Sequence, residues 1–329
     1  MCIYIYTMKF LILKTNDPTV NLATEEYLFN TTDDDLFMLW QNEPTVVIGK
    51  NQNAYAELNM DYIKNNNIHI VRRITGGGAV YHDLGNLNYT FISAKKGSLG
   101  IDFEYFTRPI IEALASLGLN AELSGRNDIL IDGKKISGNA QHTNKNKVLH
   151  HGTLLFDSDL SVLSNALKVD EEKIKAKAIK SVRSRVTNIK EYLNELEISN
   201  FIAVIEKYLN EKYSPERITA PTEEEISEYL NKYRSEEWVF PDSDYISAYT
   251  VTKKRRYPFG TVEIQFDMKN DLIRKIKIYG DFFGVKDIKE LEAYLENTRE
   301  EEIEKKLSSI SVGDYIFGMT HEDFIKQIK

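Results

Sequence analysis

The sequence predicts an α+β protein with a large mixed-sheet domain and a small second α+β domain. Through the first two thirds of the chain, β-rich and helical stretches follow one another without the regular alternation of a doubly wound fold. The chain has 329 residues, which is more than one hydrophobic core usually serves. A block of strands followed by helices near the C-terminus completes the pattern. We expect one domain over residues 1–244 and another over 245–329.

The predicted elements of the first domain begin with a strand in "KFLILK". A helix follows in "PTVNLATEEYLFNTT", with Asn21 as its expected N-cap. Short strands are expected in "LFMLWQN" and "PTVVIGKN", and another, "IHIVRRITGGG", runs into a glycine triplet. A strand in "LGNLNYTFISA" precedes a helix in "FEYFTRPIIEALASLGL", which closes at Gly118. A strand and a helix follow in "VLHHGTLLFDSDLSVLSNAL", and residues 190–233 have a charged, helical pattern.

The second domain has simpler predicted elements. Two strands in "GTVEIQFDMKNDLIRKIKIYG" turn near residues 269–271. Helices are expected in the stretches "DIKELEAYLEN" and "REEEIEKKLSSI". Strands followed by helices are typical of a separate small α+β unit.

Composition excludes several classes of protein. The formal net charge of −8 disfavours a dedicated nucleic-acid binder. Cys2 is the only cysteine, so we expect neither disulfides nor a cysteine-based zinc site, and a reducing, cytoplasmic setting. The apolar N-terminus is short and interrupted by Lys9, which indicates neither a signal peptide nor a membrane span. Met8 is a plausible natural start.

The stretch "RRITGGGAVYHD", residues 72–83, places three glycines after two arginines. It matches neither the P-loop nor the dinucleotide-binding pattern. Main-chain N–H groups of such a loop can line up around an anion, and Arg72 or Arg73 can add charge-assisted hydrogen bonds. The alternative is a bulged structural turn with surface arginines.

The stretch "GRNDILIDGKKISGNAQ" predicts a β-hairpin with Asp132 and Gly133 as its turn. Lys134 and Lys135 then face Ile131 and Leu130, and Asp128 lies opposite Ser137. Alternation places a set of four residues on one face: Asp128, Leu130, Lys135 and Ser137. The diagonal between Asp128 and Lys135 spans roughly 7–8 Å between Cβ atoms, or somewhat less. That gap can hold a phosphate with a metal ion or an acyl carbonyl, although an ordinary surface ion pair is the alternative.

A third basic stretch, "IKSVRSRVTN", carries Lys180, Arg183 and Arg185. It is either a second loop that closes on an anion or a solvated basic turn. The histidines lack the spacing of metal ligands, so a zinc enzyme is not expected. The chain also lacks a G-x-S-x-G nucleophile elbow.

Together these stretches resemble the lipoate–protein ligases. "RRITGGGAVYHDLGN", "GRNDILIDGKKISGNAQ", "HHGTLLFDSDL" and "SVRSRVTN" occur in the order and spacing of that family. The early "LFMLWQNEPTVVIGKNQN" also looks like its first strands. The resemblance covers nearly the whole chain, including a C-terminal accessory domain. It implies the biotin/lipoate ligase fold for the catalytic domain.

The resemblance also implies an activity. Lipoate and ATP, with Mg²⁺, give lipoyl-AMP and pyrophosphate, and the lipoyl group then passes to a lysine of an acceptor domain. That acceptor is the glycine-cleavage H protein or a 2-oxoacid dehydrogenase E2. No nucleic acid or membrane is expected as a partner.

Site residues follow from the same resemblance. The nucleotide-binding positions are Arg73, Gly78, Ala79, Val80 and Tyr81, and we include the flanking Arg72 and His82. Lys135 touches both the phosphate and the lipoyl carbonyl. Asn127 and Asp128 lie beside the adenylate, with Asp128 at magnesium. The family's serine position after Ile74 is Thr75 here.

Two other functions share parts of this pattern. Transferases of the same fold move octanoyl or lipoyl groups without ATP through a cysteine nucleophile, and this chain has no cysteine after Cys2. A non-catalytic module that binds lipoate or the acceptor would not need Lys135 together with Asp128 and the arginines. We therefore expect an ATP-dependent ligase.

Overall fold

The computed structural model describes residues 8–94, 102–125, 127–144, 146–168, 185–193, 195–241 and 249–329. The chain divides into two compact units. The first comprises Met1–Val47, Leu58–Val71 and Val80–Ser235, and the second comprises Ile48–Glu57, Arg72–Ala79 and Glu236–Lys329. The second unit is therefore built from three separate stretches of the chain.

The described strands and helices are named here in chain order. The strands are β1 (Lys9–Ile12), β2 (Leu36–Trp40), β3 (Thr45–Ile48), β4 (His69–Arg72), β5 (Val80–His82), β6 (Asn86–Ala94), β7 (Ala121–Ser124), β8 (Asp128–Ile131), β9 (Lys134–Thr143), β10 (Lys147–Leu155), β11 (Glu216–Arg217), β12 (Val251–Tyr257), β13 (Gly260–Lys269) and β14 (Leu272–Gly280). The helices are α1 (Pro18–Thr31), α2 (Ala54–Glu57), α3 (Met60–Asn65), α4 (Phe103–Ser116), α5 (Val162–Ala166), α6 (Ile198–Tyr213), α7 (Ser227–Arg234), α8 (Glu236–Val239), α9 (Ile288–Leu295), α10 (Ile303–Leu307), α11 (Val312–Tyr315) and α12 (His321–Ile328). Short 3₁₀ turns lie at Ile189–Tyr192 and Glu300–Glu302.

An eight-stranded sheet dominates the first unit, in the order β11-β1-β2-β6-β10-β9-β8-β7. β1 pairs in parallel with β2 and β11. The other neighbouring strands of this sheet pair antiparallel. A smaller sheet has the order β4-β3-β5. The expected mixed-sheet α+β fold is confirmed.

One face of the large sheet carries the apolar core. Alternate residues of β6, namely Leu87, Tyr89 and Phe91, are buried there together with Ile110 of α4 and Ile205 of α6. Because side chains alternate across a strand, the residues between them face the other way. That opposite face is the one on which polar residues gather.

The start of α1 differs from the prediction. Asp17 is its N-cap, and the Asp17 carboxylate accepts hydrogen bonds from the amides of Thr19 and Val20. Asn21 lies inside the helix, is fully buried, and donates to the carbonyls of Thr15 and Gln41. The prediction of Asn21 as the cap was therefore wrong, since the better acceptor precedes Pro18.

The second unit contains the antiparallel sheet β12-β13-β14 and helices α9 to α12. The predicted turn between β13 and β14 is confirmed, with positive φ at Asn270 and Asp271. The sequence did not predict β12, because "VTKKRRY" shows no apolar alternation. Three of its cations, Lys254–Arg256, are exposed, and the Lys253 Nζ lies over the Phe266 ring, 5.9 Å from its centroid.

The proposed boundary at residue 245 lies outside the described residues, so the division into 1–244 and 245–329 stays a prediction. Of the helices that the structure describes, none has both the length and the apolar character needed to cross a membrane.

Candidate active site

The predicted hairpin forms between β8 and β9. Asp132 and Gly133 both have positive φ, 50° and 74°, as a tight type I′ turn requires. Leu130 pairs with Lys135 and Ile131 with Lys134, as predicted. The turn register derived from the sequence is confirmed.

Beyond Lys135 the register shifts. Ile129 pairs with Ser137, and Asp128 pairs with Gly138. Ile136 is thus an extra residue in β9, a β-bulge that simple alternation does not predict. The expected pairing of Asp128 with Ser137 was wrong, and Ser137 is fully buried beside Ile129.

Lys135 and Asp128 meet despite the bulge. The Lys135 Nζ lies 2.7 Å from the Asp128 Oδ1, and both side chains are about one third exposed, 33% and 37%. A Cβ added to Gly138 would lie 3.0 Å from that Nζ and 3.2 Å from the Lys135 Cε. The ammonium group therefore lies over the bare backbone of Gly138, partly open to solvent.

The backbone of Lys135 also pairs with the end of the basic stretch, at Arg185 and Thr187. The Lys135 amide donates to the Arg185 carbonyl at 2.6 Å, and the Thr187 amide donates to the Lys135 carbonyl at 2.9 Å. The side chain of Asn188 anchors this stretch through two bonds to the backbone of Ser158. The structure thus brings the hairpin lysine and Arg185 side by side, whereas Lys180 and Arg183 lie outside the described residues.

Asn127 closes the beginning of the hairpin. Its side-chain amide donates to the Asn139 carbonyl at 2.6 Å. The backbone N–H of Asn139 donates to the Asn127 carbonyl at 2.9 Å. The Asn127 side chain is engaged with backbone in this structure, next to Asp128.

A row of side chains crosses the sheet from β2 to Asp128. Trp40 and Thr153 each pair with Asn88 of β6, and Asp128 pairs with Gly138. The Gly138 amide donates to the Thr153 hydroxyl at 3.1 Å, and this bond links the pairs around Asn88 to the pair of Asp128 and Gly138. Paired residues share a sheet face, so this row extends the face of Lys135 inwards.

Some polar atoms on this face are buried without a protein partner. In the part of the chain that the structure describes, these include the Asn88 Nδ2 and the Asn86 Oδ1. Buried polar atoms normally have partners, so unpaired ones need an explanation such as a bound molecule. The sequence did not single out either asparagine, although their period-two spacing in "GNLNYT" was the available signal.

A carboxylate that the sequence also did not single out lies beyond this row. Glu25 of α1 is buried, and its carboxylate lies 3.0 Å and 3.1 Å from the Nδ1 of His151. The Thr90 hydroxyl donates to Glu25 at 2.6 Å and accepts from the Trp40 indole at 2.9 Å. This polar group lies on the sheet face opposite the apolar core.

Three of the predicted nucleotide-binding residues form β5. Val80, Tyr81 and His82 pair with Val47, Val46 and Thr45 of β3. Burial, with smaller contributions from the carboxylates of Asp83 and Asp159, raises the pKa of Tyr81 to about 12. Tyr81 is therefore a neutral phenol at physiological pH. His82 is buried, and its Nδ1 lies 3.1 Å from the Asn42 amide nitrogen.

The glycine loop, Gly76–Gly78, belongs to the second compact unit. Arg73 is buried and organises it, donating to the Thr75 hydroxyl at 2.9 Å and to the carbonyls of Gly76 and Gly78 at 2.8 Å each. The Gly77 amide donates to the Phe282 carbonyl at 3.2 Å. Arg73 thus holds the glycine loop in place through hydrogen bonds to the loop's backbone carbonyls.

The three glycines have different surroundings. A Cβ on Gly76 would come within 2.3 Å of the Phe282 carbonyl oxygen, and Gly77 has a φ of 92°. At Gly78 such a Cβ would meet only the Asp281 Cβ, at 3.8 Å. Close backbone packing explains Gly76 and a left-handed conformation explains Gly77, whereas Gly78 is the glycine with space beside it.

Arg72, which precedes Arg73, is almost entirely buried, with 2% of its surface exposed. Its guanidinium donates to a set of backbone carbonyls: Gly49, Lys50, Gln52, Trp238 and Val239. These contacts are those of a structural residue that joins three backbone segments. These backbone contacts do not support a contact between Arg72 and a phosphate.

Known protein families match this chain over two ranges of residues. The family model described as the lipoyl protein ligase A/B catalytic domain matches residues 17–210, and the bacterial lipoate protein ligase C-terminus matches residues 247–328. Lipoate–protein ligase 1 of Staphylococcus aureus is 44% identical, over 94% of this chain and 96% of its own length. LplJ, a lipoate–protein ligase of Bacillus subtilis, is 40% identical over 95% and 97%.

Solved structures are similar in fold. LipL1 of P. falciparum, in complex with lipoate, has a TM-score of 0.79 and 25% identity, with 98% of both chains covered. A lipoate–protein ligase A bound with ATP has a TM-score of 0.61 and 29% identity, over 71% of this chain and 98% of its own. A bipartite ligase from Thermoplasma acidophilum, described with its E2 lipoyl domain, has a TM-score of 0.64 and 31% identity over 71% and 96%.

Proposed function

This chain belongs to the lipoate–protein ligase family and is a lipoate ligase, and we propose that it works in two ATP-dependent, AMP-forming steps. The observation that carries the proposal is the Lys135 ammonium, held by Asp128 over Gly138. It provides a fixed positive charge at the edge of a buried polar face. A similar ligase was solved with ATP, which supports ATP as the second substrate.

The first step joins lipoate to the nucleotide. A carboxylate oxygen of lipoate attacks the α-phosphorus of ATP, the bond to pyrophosphate breaks, and lipoyl-AMP forms. Negative charge increases on the phosphate oxygens, and a preorganised ammonium stabilises it. Lys135 is the proposed source of that charge.

The second step transfers the acyl group. The ε-amine of the acceptor lysine attacks the lipoyl carbonyl carbon, the bond to the phosphate oxygen breaks, and AMP leaves as the amine loses a proton. Here Lys135 polarises the carbonyl oxygen. One lysine can serve both steps because the two oxygens are neighbours in the mixed anhydride.

The nucleotide contacts are proposed from the family pattern. Gly78 and Ala79 are the proposed phosphate-binding residues, Arg73 supports their loop at the nucleotide through the Gly76 and Gly78 carbonyls, and Val80 with Tyr81 continues the nucleotide site. The open space beside Gly78 supports this assignment. Asn127 with Asp128 is proposed beside the adenylate. His82 stays a prediction at the nucleotide, while Arg72 is left out because of its backbone contacts.

Magnesium fits this site only together with ATP. Among the residues that the structure describes, no group of three or more His, Cys, Asp or Glu could hold a metal ion. Mg²⁺ is commonly held by one or two carboxylates plus substrate phosphates, and Asp128 offers one carboxylate here. When bound, the ion would neutralise phosphate charge.

The acceptor is proposed to be a lipoyl domain. The similar Thermoplasma ligase is described with its E2 lipoyl domain, which supports this class of partner. The glycine-cleavage H protein and a 2-oxoacid dehydrogenase E2 remain the two proposed acceptors. We further propose residues 1–244 as the catalytic domain and 245–329 as the accessory domain.

The test compares two adjacent lysines. Exchange of labelled pyrophosphate into ATP should require lipoate in the wild type. Lys135→Ala should lower that exchange and the transfer from supplied lipoyl-AMP by about 10²-fold or more, as for loss of an oxyanion-type donor. Lys134→Ala should leave both rates near normal, since Lys134 is exposed.

Two outcomes would contradict the proposal. Lipoyl or octanoyl transfer from a carrier protein without ATP would indicate the transferase chemistry instead. Greater damage from Lys134→Ala than from Lys135→Ala would remove Lys135 from the site. Lys135→Arg should recover little activity, because a planar guanidinium does not replace a compact ammonium.

A further inference from the structure

A buried polar cluster lies beneath the start of the hairpin, within the apolar core. It consists of Tyr89 of β6, Asn139 of β9 and His150 of β10, which are 0%, 3% and 0% exposed. Such groups are costly to bury unless each polar atom finds a partner. The sequence predicted a functional role for none of these three residues.

Asn139 is the centre of the cluster. Its Oδ1 accepts from the Tyr89 hydroxyl and from the His150 Nε2, the latter at 3.1 Å. Its Nδ2 donates to the Asn127 carbonyl at 3.0 Å and to the Ser137 hydroxyl at 3.3 Å. Both ends of this amide are therefore bonded, and one bond reaches the first residue of the hairpin.

Backbone contacts determine the tautomer of His150. Gln141 accepts from the Asp102 amide at 2.9 Å and donates to the Asp102 carbonyl at 2.7 Å, so its own amide orientation is fixed. The same Gln141 nitrogen donates to the His150 Nδ1 at 2.9 Å. His150 therefore carries its proton on Nε2, aimed at Asn139, and burial lowers its pKa well below the usual value, which keeps it neutral.

Gly152 makes the cluster possible. A Cβ at this position would lie 2.2 Å from the Asn139 Oδ1 and 2.5 Å from the Tyr89 Cζ. Gly152 pairs with both residues in the sheet. Its missing side chain leaves the space in which the Tyr89 hydroxyl and the Asn139 amide meet.

We propose that Asn139, oriented by Tyr89 and His150, is a positioning residue for the ligase reaction. It holds the Asn127 carbonyl, which fixes the start of β8 and so places Asp128 against Lys135. Asn139 does not touch the reacting atoms. The inference rests on the proposed function, in which Lys135 acts on phosphate and carbonyl oxygens.

Asn139→Asp tests the positioning role through pH. The substitution keeps the shape but replaces the amide donor with an oxygen that faces the Asn127 carbonyl. An ionised carboxylate repels that carbonyl, whereas a protonated one donates to it. Burial favours the protonated form and raises the pKa of the introduced group. We expect adenylation to fall about tenfold near pH 8 and to recover relative to wild type near pH 6.

The second unit offers a matched control. Gln327 is 4% exposed, accepts from the Tyr257 hydroxyl at 2.8 Å, and donates to the carbonyls of Lys253 and Val262. Gln327→Glu therefore also replaces a buried amide donor with a carboxyl oxygen that faces backbone carbonyls, but in the second unit and not at the hairpin. It should lower the unfolding temperature and leave the pH profile of adenylation unchanged.

Tyr89→Phe keeps the test informative if Asn139→Asp does not fold. It removes one hydroxyl, so kcat for adenylation should fall about fivefold with little change in KM for lipoate. Tyr257→Phe should leave kcat unchanged. Wild-type pH behaviour in folded Asn139→Asp, or an unchanged kcat in Tyr89→Phe, would overturn the positioning role. Retained activity in Lys135→Ala would instead overturn the proposed function.

Discussion

At the scale of single residues, Gly138 controls where the Lys135 ammonium can lie. Gly138→Ala places a methyl group 3.0 Å from the Lys135 Nζ, the end of a flexible side chain. The fold should tolerate the change, because the lysine can move away. Adenylation should fall by about tenfold or more, since small displacements of a positioned group are costly to catalysis.

Pyrophosphate exchange and thermal unfolding measured on the same preparations check this prediction. Gly313→Ala is the control, since a Cβ there meets its nearest atom at 3.6 Å. If Gly138→Ala exchanged pyrophosphate at the wild-type rate, the ammonium position over Gly138 would not matter. A large loss of stability in Gly138→Ala would also contradict the expected flexibility of Lys135.

The same residues show how far the sequence could predict the site. The placement of Lys135 and Asp128 on one face followed from the turn chemistry of Asp132 and Gly133, which is local and strong, and their direct contact corresponds to the ion pair given as the alternative. Ser137 was placed on the wrong face because a bulge adds one residue without any change in composition. Arg72 and Arg73 are chemically identical and both buried, and only their contacts distinguish the structural residue from the one that organises the glycine loop.

At the scale of elements, Arg72 joins segments that are far apart in the chain. Arg72→Lys keeps the charge but loses the planar fork that reaches several carbonyls at once. Carbonyls left unpaired in a buried place cost about 1–3 kcal/mol each. We expect the second compact unit to lose about 3 kcal/mol or more.

Denaturant unfolding, followed by hydrogen exchange in Arg72–Ala79, measures the effect of Arg72→Lys. Arg255→Lys serves as the control because Arg255 is exposed on β12. Equal stability of Arg72→Lys and wild type would show that these carbonyl contacts contribute little to folding.

Most strands and helices could be predicted because their signals are local. The hairpin sequences contain typical turn residues, and α4 has apolar residues at helical spacing up to Gly118. β12 could not be predicted, since four consecutive cations, Lys253–Arg256, leave no apolar alternation and most of the strand is exposed. The cap of α1 was mispredicted because Asp17 and Asn21 are both good acceptors, although Asp17 directly before Pro18 was the stronger local signal.

At the scale of the whole molecule, the second compact unit needs residues beyond 241. In a chain that ends at Pro241, the Gly77 amide loses the Phe282 carbonyl, whereas the core of the first unit keeps its own residues. We expect faster hydrogen exchange in the glycine loop and unchanged protection of β6. Adenylation should be impaired more than transfer from supplied lipoyl-AMP, because the loop is the proposed phosphate-binding segment.

Hydrogen exchange by mass spectrometry and separate assays of the two half-reactions test this division. Equal losses in both half-reactions, with protection of β6 preserved, would contradict it. The sequence predicted two units from length and element order. It could not assign residues 48–57 and 72–79 to the second one, because that assignment depends on contacts between segments far apart in sequence.

The three-part construction of the second unit also determines the order in which it can fold. Ile48–Glu57 and Arg72–Ala79 are synthesised early, yet the rest of their unit begins at Glu236. During translation both segments can pair with each other, but they lack their neighbours in Glu236–Lys329 until the ribosome has passed that residue. Contacts of such long sequence separation slow folding and leave partly folded chains prone to aggregation. The glycine loop therefore belongs to the late-folding part of a nascent chain, although its codons are read early.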